Sequence, residues 1–255
     1  MNKFKIFIAL SLLVTGIFTL ASCSRDNTRP VTLAGNEYYP LALGKYIVYD
    51  VDSIYWDDVL KEEIPVRWQF RYDFVDTFRN DEGNLTFTVD VRKRKASTTT
   101  YLTEDVIHIT PFDDRIEFKY NYLQYIAFRM PVDNTIHWNP LTYILIDPEN
   151  INRYPEFASS AWDAHYENIG APYNNEIFHF DQTVTVMNID DAVGSPSADT
   201  TNPAHKYYSK EIYAKGVGMV YKQFEAWDFN PLPPFGTGLG YKKGYSVTMR
   251  VVEYN

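Results

Sequence analysis

Cysteine is almost absent from this chain: Cys23 is the only one among 255 residues. A lone cysteine closes no disulfide within the chain and builds no thiolate metal cluster, so the folded part must hold together by packing. Histidine is scarce as well. His108, His137, His165, His179 and His205 stand singly, without an HExxH or other paired spacing to set two on one face, and no metal is expected from them. Basic residues are outnumbered, 24 Lys and Arg against 33 Asp and Glu, which argues against nucleic acid as a partner. No G-x-S-x-G elbow occurs. The Gly236-Thr237-Gly238-Leu239-Gly240 run lacks the Lys-Ser/Thr and the strand-to-helix context of a phosphate loop, so no nucleotide cofactor is expected. No segment repeats, which excludes propellers and solenoids.

What is present begins at the N-terminus. Lys3 and Lys5 precede an uncharged apolar run from Ile6 to Leu20, and the small residues Ala21 and Ser22 lead directly into Cys23. This arrangement resembles the lipobox of bacterial lipoproteins. The resemblance implies a signal peptide over residues 1–22, cleavage before Cys23, and lipidation of Cys23 by diacylglycerol with fatty-acyl (palmitate-type) chains, which attaches the mature chain to the membrane. The apolar run is roughly 15 residues, short of the roughly 20 that span a bilayer. At the position after the cysteine stands Ser24 rather than the aspartate that retains such proteins in the inner membrane, so the outer membrane is expected, on either side of it. Residues 23–36 then read as the acylated cysteine and a polar tether, and 37–255 as one β-rich domain. Loss of Lys3 and Lys5 leaves 22 basic residues of the original 24 against 33 acidic ones, a net charge of −11.

Aromatic content points to strands: 21 Tyr, 16 Phe and 5 Trp suit a pleated, half-buried surface. Tyr46 and Val48, then Tyr49 and Val51, alternate with one slip of phase, the mark of a β-bulge. Trp68, Phe70, Tyr72 and Phe74 alternate with polar residues. The turn residues Asn80 to Asn84 and the returning Leu85, Phe87, Val89 and Val91 complete a hairpin. Further strands are expected at 106–109, 116–120, 122–128, 178–189, 211–224 (interrupted by Gly216 and Gly218) and 245–254, roughly nine or ten in all. Only Pro155 to Tyr166 has a helical composition, with Pro155 suited to a first turn. The fold class is all-β and antiparallel in a single domain, either a β-sandwich or a curved, partly closed β-barrel.

The blocks Tyr38-Tyr39-Pro40-Leu41 with Gly44, Tyr49-Asp50-Val51-Asp52-Ser53-Ile54, Pro131-Val132 with Trp138-Asn139, Phe180-Asp181, and Glu211 to Tyr221 follow one another along nearly the whole mature chain. In this order they resemble a family of envelope lipoproteins of Bacteroidota. The resemblance implies a cell-envelope protein and transfers no catalytic residue.

Chemistry-bearing candidates are few. The acidic pairs Asp57-Asp58, Asp113-Asp114 and Asp190-Asp191 read as solvated turn residues rather than as glycosidase carboxylates or, with Asp181, calcium ligands. Rings at Tyr120, Tyr122, Tyr125, Trp138, Tyr143, Trp162 and Trp227 read chiefly as core. Trp227 and Phe229, just before the Pro-rich stretch from Pro231, are the best candidates for exposed contact with a partner or a glycan. Asp52-Ser53-Ile54 and Asp199-Thr200-Thr201 match a short O-glycosylation pattern, with Ser53 and Thr200 as acceptors. The expected function is a non-catalytic binding or accessory lipoprotein, docked to an outer-membrane assembly. Two alternatives stand beside it: a carrier of lipid or another apolar ligand in a curved-sheet cavity, and a glycan-binding or glycan-active protein.

Overall fold

The computed structural model describes residues 35–197, 199–231 and 240–255, so Cys23 and the expected signal peptide lie outside the described residues. Residues Leu33–Asn255 cluster as one compact unit. Twelve strands follow in order: β1 (Tyr46–Asp57), β2 (Glu62–Arg79), β3 (Leu85–Lys95), β4 (Leu102–Pro111), β5 (Arg115–Tyr120), β6 (Leu123–Arg129), β7 (His137–Trp138), β8 (Ala164–Asn174), β9 (His179–Val193), β10 (Ala204–Ala214), β11 (Gly218–Asn230) and β12 (Tyr241–Tyr254). They form one antiparallel sheet in the order β6-β5-β4-β3-β2-β1-β12-β11-β10-β9-β8-β7, nearly closed into a barrel. The partly closed barrel, not the sandwich, is therefore the architecture.

Turn chemistry sets the hairpins. Asp57 Oδ1 accepts the backbone N–H groups of Val59 and Leu60 at 2.8 and 2.7 Å between β1 and β2. Asn80 Oδ1 takes those of Glu82 and Asn84 at 3.1 and 2.8 Å between β2 and β3, where Gly83 supplies a φ of 81°. The first and last strands pair with each other from Ile47↔Tyr254 to Trp56↔Gly244, with a register shift between Val48 and Tyr49. That shift is the bulge that the phase slip announces.

The two ends of the sheet, β6 and β7, are joined through residues 130–136 and lie edge to edge. No ladder pairs them, and single hydrogen bonds close the seam. Ile126 N–H donates to Pro140 O at 3.0 Å and Trp138 Nε1–H donates to Ile126 O at 3.0 Å. The Tyr166 hydroxyl accepts from Arg129 N at 2.9 Å and donates to Arg129 O. Side chains thus satisfy backbone groups that an open edge would leave free to pair with another chain.

Inward-facing residues fill the barrel in two main clusters. One gathers Phe74, Val89, Ile109, Phe128, Tyr166, Val184 and Tyr213 across β2 to β10. The other gathers Ile47, Tyr49, Val51, Phe180, Val220 and Val251 from β1, β9, β11 and β12.

Three local expectations change. Gly216 and Gly218 do not interrupt a strand: Lys215 to Val217 turn the chain between β10 and β11, and the left-handed φ of Gly216 (78°) and Gly218 (104°) makes that turn. The helical composition after Pro155 yields only a 3₁₀ turn, Pro155–Ala158, because Ala164 already starts β8. A short helix, α1 (Pro148–Arg153), forms just before it. The Asp147 side chain caps it by accepting Asn150 N–H at 2.9 Å.

Candidate functional site

A cavity of about 110 Å3 lies inside the barrel, walled by Ile47, Phe74, Val89, Ile107, Ile109, Phe118, Val217 and Met249. Part of its wall comes from the segment that enters the domain. After a 3₁₀ turn at Asn36–Tyr38, the Tyr39 ring packs edge-on to Phe118 at 5.9 Å and against Phe128 and Tyr213 at 6.1 and 5.4 Å. The Glu37 carbonyl accepts Gly216 N–H at 2.6 Å, and Lys215 Nζ pairs with Glu37 Oε1 at 3.1 Å, so the β10–β11 turn holds this segment in place.

Two lysines and one glutamate reach into this mostly apolar space. Glu211 on β10 stands opposite Lys222 on β11 in the ladder, and their side chains pair at 2.7 Å. The Tyr213 hydroxyl donates to the other Glu211 oxygen at 2.6 Å. Burial pulls the Lys222 ammonium down, but the Glu211 carboxylate outweighs it and leaves the group above its ordinary range. Lys45 is different. It is 6% exposed, has no carboxylate partner among the described residues, and donates only to Pro40 O at 3.2 Å. Burial lowers its pKa to about 8.

Phenols complete the polar lining. Tyr49 donates to Met219 O at 2.8 Å, while the hydroxyls of Tyr39, Tyr72 and Tyr125 make no hydrogen bond to the described residues. Burial raises all three, so they remain neutral donors. An apolar chamber with a few converging donors and a perturbed lysine is the usual form of a small-ligand site. Sequence patterning shows none of these partners as a set, because Lys45, Tyr72, Tyr125 and Lys222 come from four separate segments.

The sequence-expected sites lie elsewhere. Trp227 and Phe229 are buried rather than exposed, at 7% and 5%. Strand β11 runs on to Asn230, and both rings sit on the face opposite Lys222, buried in a small separate cluster with Trp56 and Ala204: Trp227 meets Trp56 edge-on at 6.3 Å, and Lys242 Nζ sits 4.7 and 4.4 Å from the Trp56 and Trp227 ring centres. Of the other rings singled out, Trp138 is core, while Tyr122 and Tyr143 are exposed. Ser53 is half-buried within β1, paired with Val66 and Val247; Thr200 is exposed in the loop between β9 and β10.

The acidic pairs carry structural duties. Asp57 caps a turn, Asp58 pairs with Lys243 at 3.3 Å, and Asp114 pairs with Arg115 and Arg129 at 2.8 and 3.2 Å. Asp191 accepts the Ser159 hydroxyl at 2.6 Å, which with His205 at 3.3 Å holds its pKa below the usual range. Serine, carboxylate and imidazole thus meet, but the serine is bonded to the acid instead of the base, the reverse of a nucleophile's arrangement.

No protein-family profile matches the chain, and no curated protein matches it. Among solved structures it is similar to a Bacteroides fragilis protein described as exported and as having a YmcC-like fold, with 11% identity and a TM-score of 0.38 over 84% of this chain and 98% of that one. A likeness at that identity and score transfers no function to this chain.

Proposed function

We propose that the protein is a non-catalytic, lipid-anchored binding protein of the outer membrane whose barrel takes a small carboxylate into its interior cavity. Lys45 carries the reading: a buried ammonium with a single carbonyl partner, facing an apolar chamber, is a poor contributor to stability and a good receptor for an anion. With Lys222 neutralised by Glu211, the chamber's net charge is that of Lys45, and the hydroxyls of Tyr39, Tyr72 and Tyr125 supply further donors. Cavity size selects the ligand. At about 110 Å3 it is smaller than the roughly 150 Å3 cavity that accepts benzene. It suits a short acid such as butyrate and leaves no room for the acyl chains of a lipid.

The lipobox-like start supports the membrane attachment, and the Ser159 hydroxyl, held by the Asp191 carboxylate rather than by the His205 imidazole, supports a role without catalysis. Titration calorimetry of the full chain in detergent, with butyrate, benzoate and decanoate, tests the reading. Binding of butyrate, at least tenfold weaker for Lys45→Met, and no binding of decanoate are expected. Absence of heat with all three acids, or equal butyrate affinity in the variant, would overturn it.

A further inference from the structure

We infer that His137, Asp163 and His165 form a zinc site that staples the closing seam of the barrel. Strand β7 has only two residues, and its register sets His137 directly opposite His165. Their rings are stacked at 5.2 Å with planes 21° apart. The alternation of side chains explains the placement. Trp138 and Ala164, the other members of the two pairs, are buried at 6% and 0%, so both histidines point to the opposite, solvent-facing side. Asp163 stands at the entrance to β8, with its Oδ2 at 2.9 Å from His137 Nδ1. One ligand atom from each of the three residues lies within 4.8 Å of the others.

The tautomer of His165 suits metal binding. Its Nδ1 lies 3.0 Å from Asp163 O, a carbonyl that can only accept, so Nδ1 carries the proton and Nε2 keeps its lone pair. That nitrogen lies 3.5 Å from Glu167 Oε1. A lone pair facing a carboxylate repels it unless a proton or a metal ion stands between them, and Glu167 is thereby placed as a further oxygen donor. Neighbouring ligands of tetrahedral zinc are about 3.3 Å apart, so the His137–Asp163 contact needs to open by only a few tenths of an ångström. Two imidazoles and a carboxylate favour zinc over calcium or magnesium.

The site sits where the ladder is weakest. A metal there would tie β7 to β8 and so hold the 136–140 segment against β6, giving zinc a structural effect distinct from the cavity. The test uses the full chain with Co2+ as a spectroscopic probe and Zn2+ as competitor. One Co2+ per chain with intense tetrahedral visible bands is expected, displaced by Zn2+ and abolished in His137→Ala and His165→Ala. The thermal midpoint of the parent should rise by about 5–10 °C at zinc 100-fold above its Kd, and neither variant should respond. Both histidines are at least partly exposed, so the metal-free variants should unfold where the parent does. If one does not, Asp163→Asn, which keeps shape and removes the charge, replaces it in the same assay. No tetrahedral 1:1 binding by the parent, or binding retained after removal of either histidine or the Asp163 charge, would overturn the site.

Discussion

The two sides of the barrel cavity treat charge in opposite ways. On the β10–β11 side, Glu211 and Lys222 face each other in register and Tyr213 completes the pair. On the entry side, Lys45 sits at the start of the sheet with a backbone carbonyl as its one partner. A buried pair is a closed unit whose net contribution to stability is small, yet whose breaking is costly. An unpaired buried ammonium is a standing penalty that a ligand's charge can relieve. The contrast separates a group that keeps the barrel's shape from one available for recognition.

Breaking the pair should have the largest effect. Lys222→Met leaves Glu211 buried and uncompensated and should cost about 3–5 kcal/mol in urea unfolding. Lys45→Met should do the reverse and stabilise the ligand-free chain at pH 7 by about 1–3 kcal/mol, since it replaces a desolvated charge by a thioether of similar length.

The pH dependence sharpens this second case. Below pH 8 both the folded and unfolded chains hold the Lys45 proton, and the penalty is constant. Between about 8 and the ordinary 10.5 only the unfolded chain keeps it, so the unfolded state binds more protons and stability rises with pH. This rise should be present in denaturation midpoints of the parent and missing from those of Lys45→Met.

A third buried charge, away from the cavity, serves as a control. Glu156 is 2% exposed, accepts the Tyr245 hydroxyl at 3.3 Å on one oxygen, and has its second oxygen unpaired; burial raises its pKa to about 6. Its neutral form favours the folded state, so its stabilisation is complete below about 4.5 and lost as pH climbs through 6. Glu156→Gln should therefore raise stability at pH 7 by about 1–2 kcal/mol and leave butyrate binding unchanged, as calorimetry and urea unfolding together would show.

Strands were legible where one face is buried, because period-two alternation survives in Trp68 to Phe74 and Leu85 to Val91, and even the bulge after Val48 left its slip of phase. Strand β8 was not. Its residues 164–174 alternate poorly, since Glu167, Asn168, Ile169 and Gly170 are all exposed around two positive-φ positions. Trp227 misled for a related reason: nearness to prolines marks a loop, but β11 extends through it before the chain turns. A cavity in the curved sheet was among the expectations, but its polar lining was illegible because its donors come from distant strands and its decisive feature is the lack of a carboxylate partner for Lys45. The histidine pair was hidden likewise, with His137 and His165 joined only by the β7–β8 register.

The claim that Lys45 is an unpaired anion receptor is tested most directly by its own titration, followed by NMR of side-chain-labelled lysine in the full chain with and without butyrate. The expected result is a Lys45 pKa of about 8 that moves upward when butyrate binds, while Lys222 stays above 10.5 throughout. A Lys45 that titrates at the ordinary 10.5 and ignores butyrate would contradict the account.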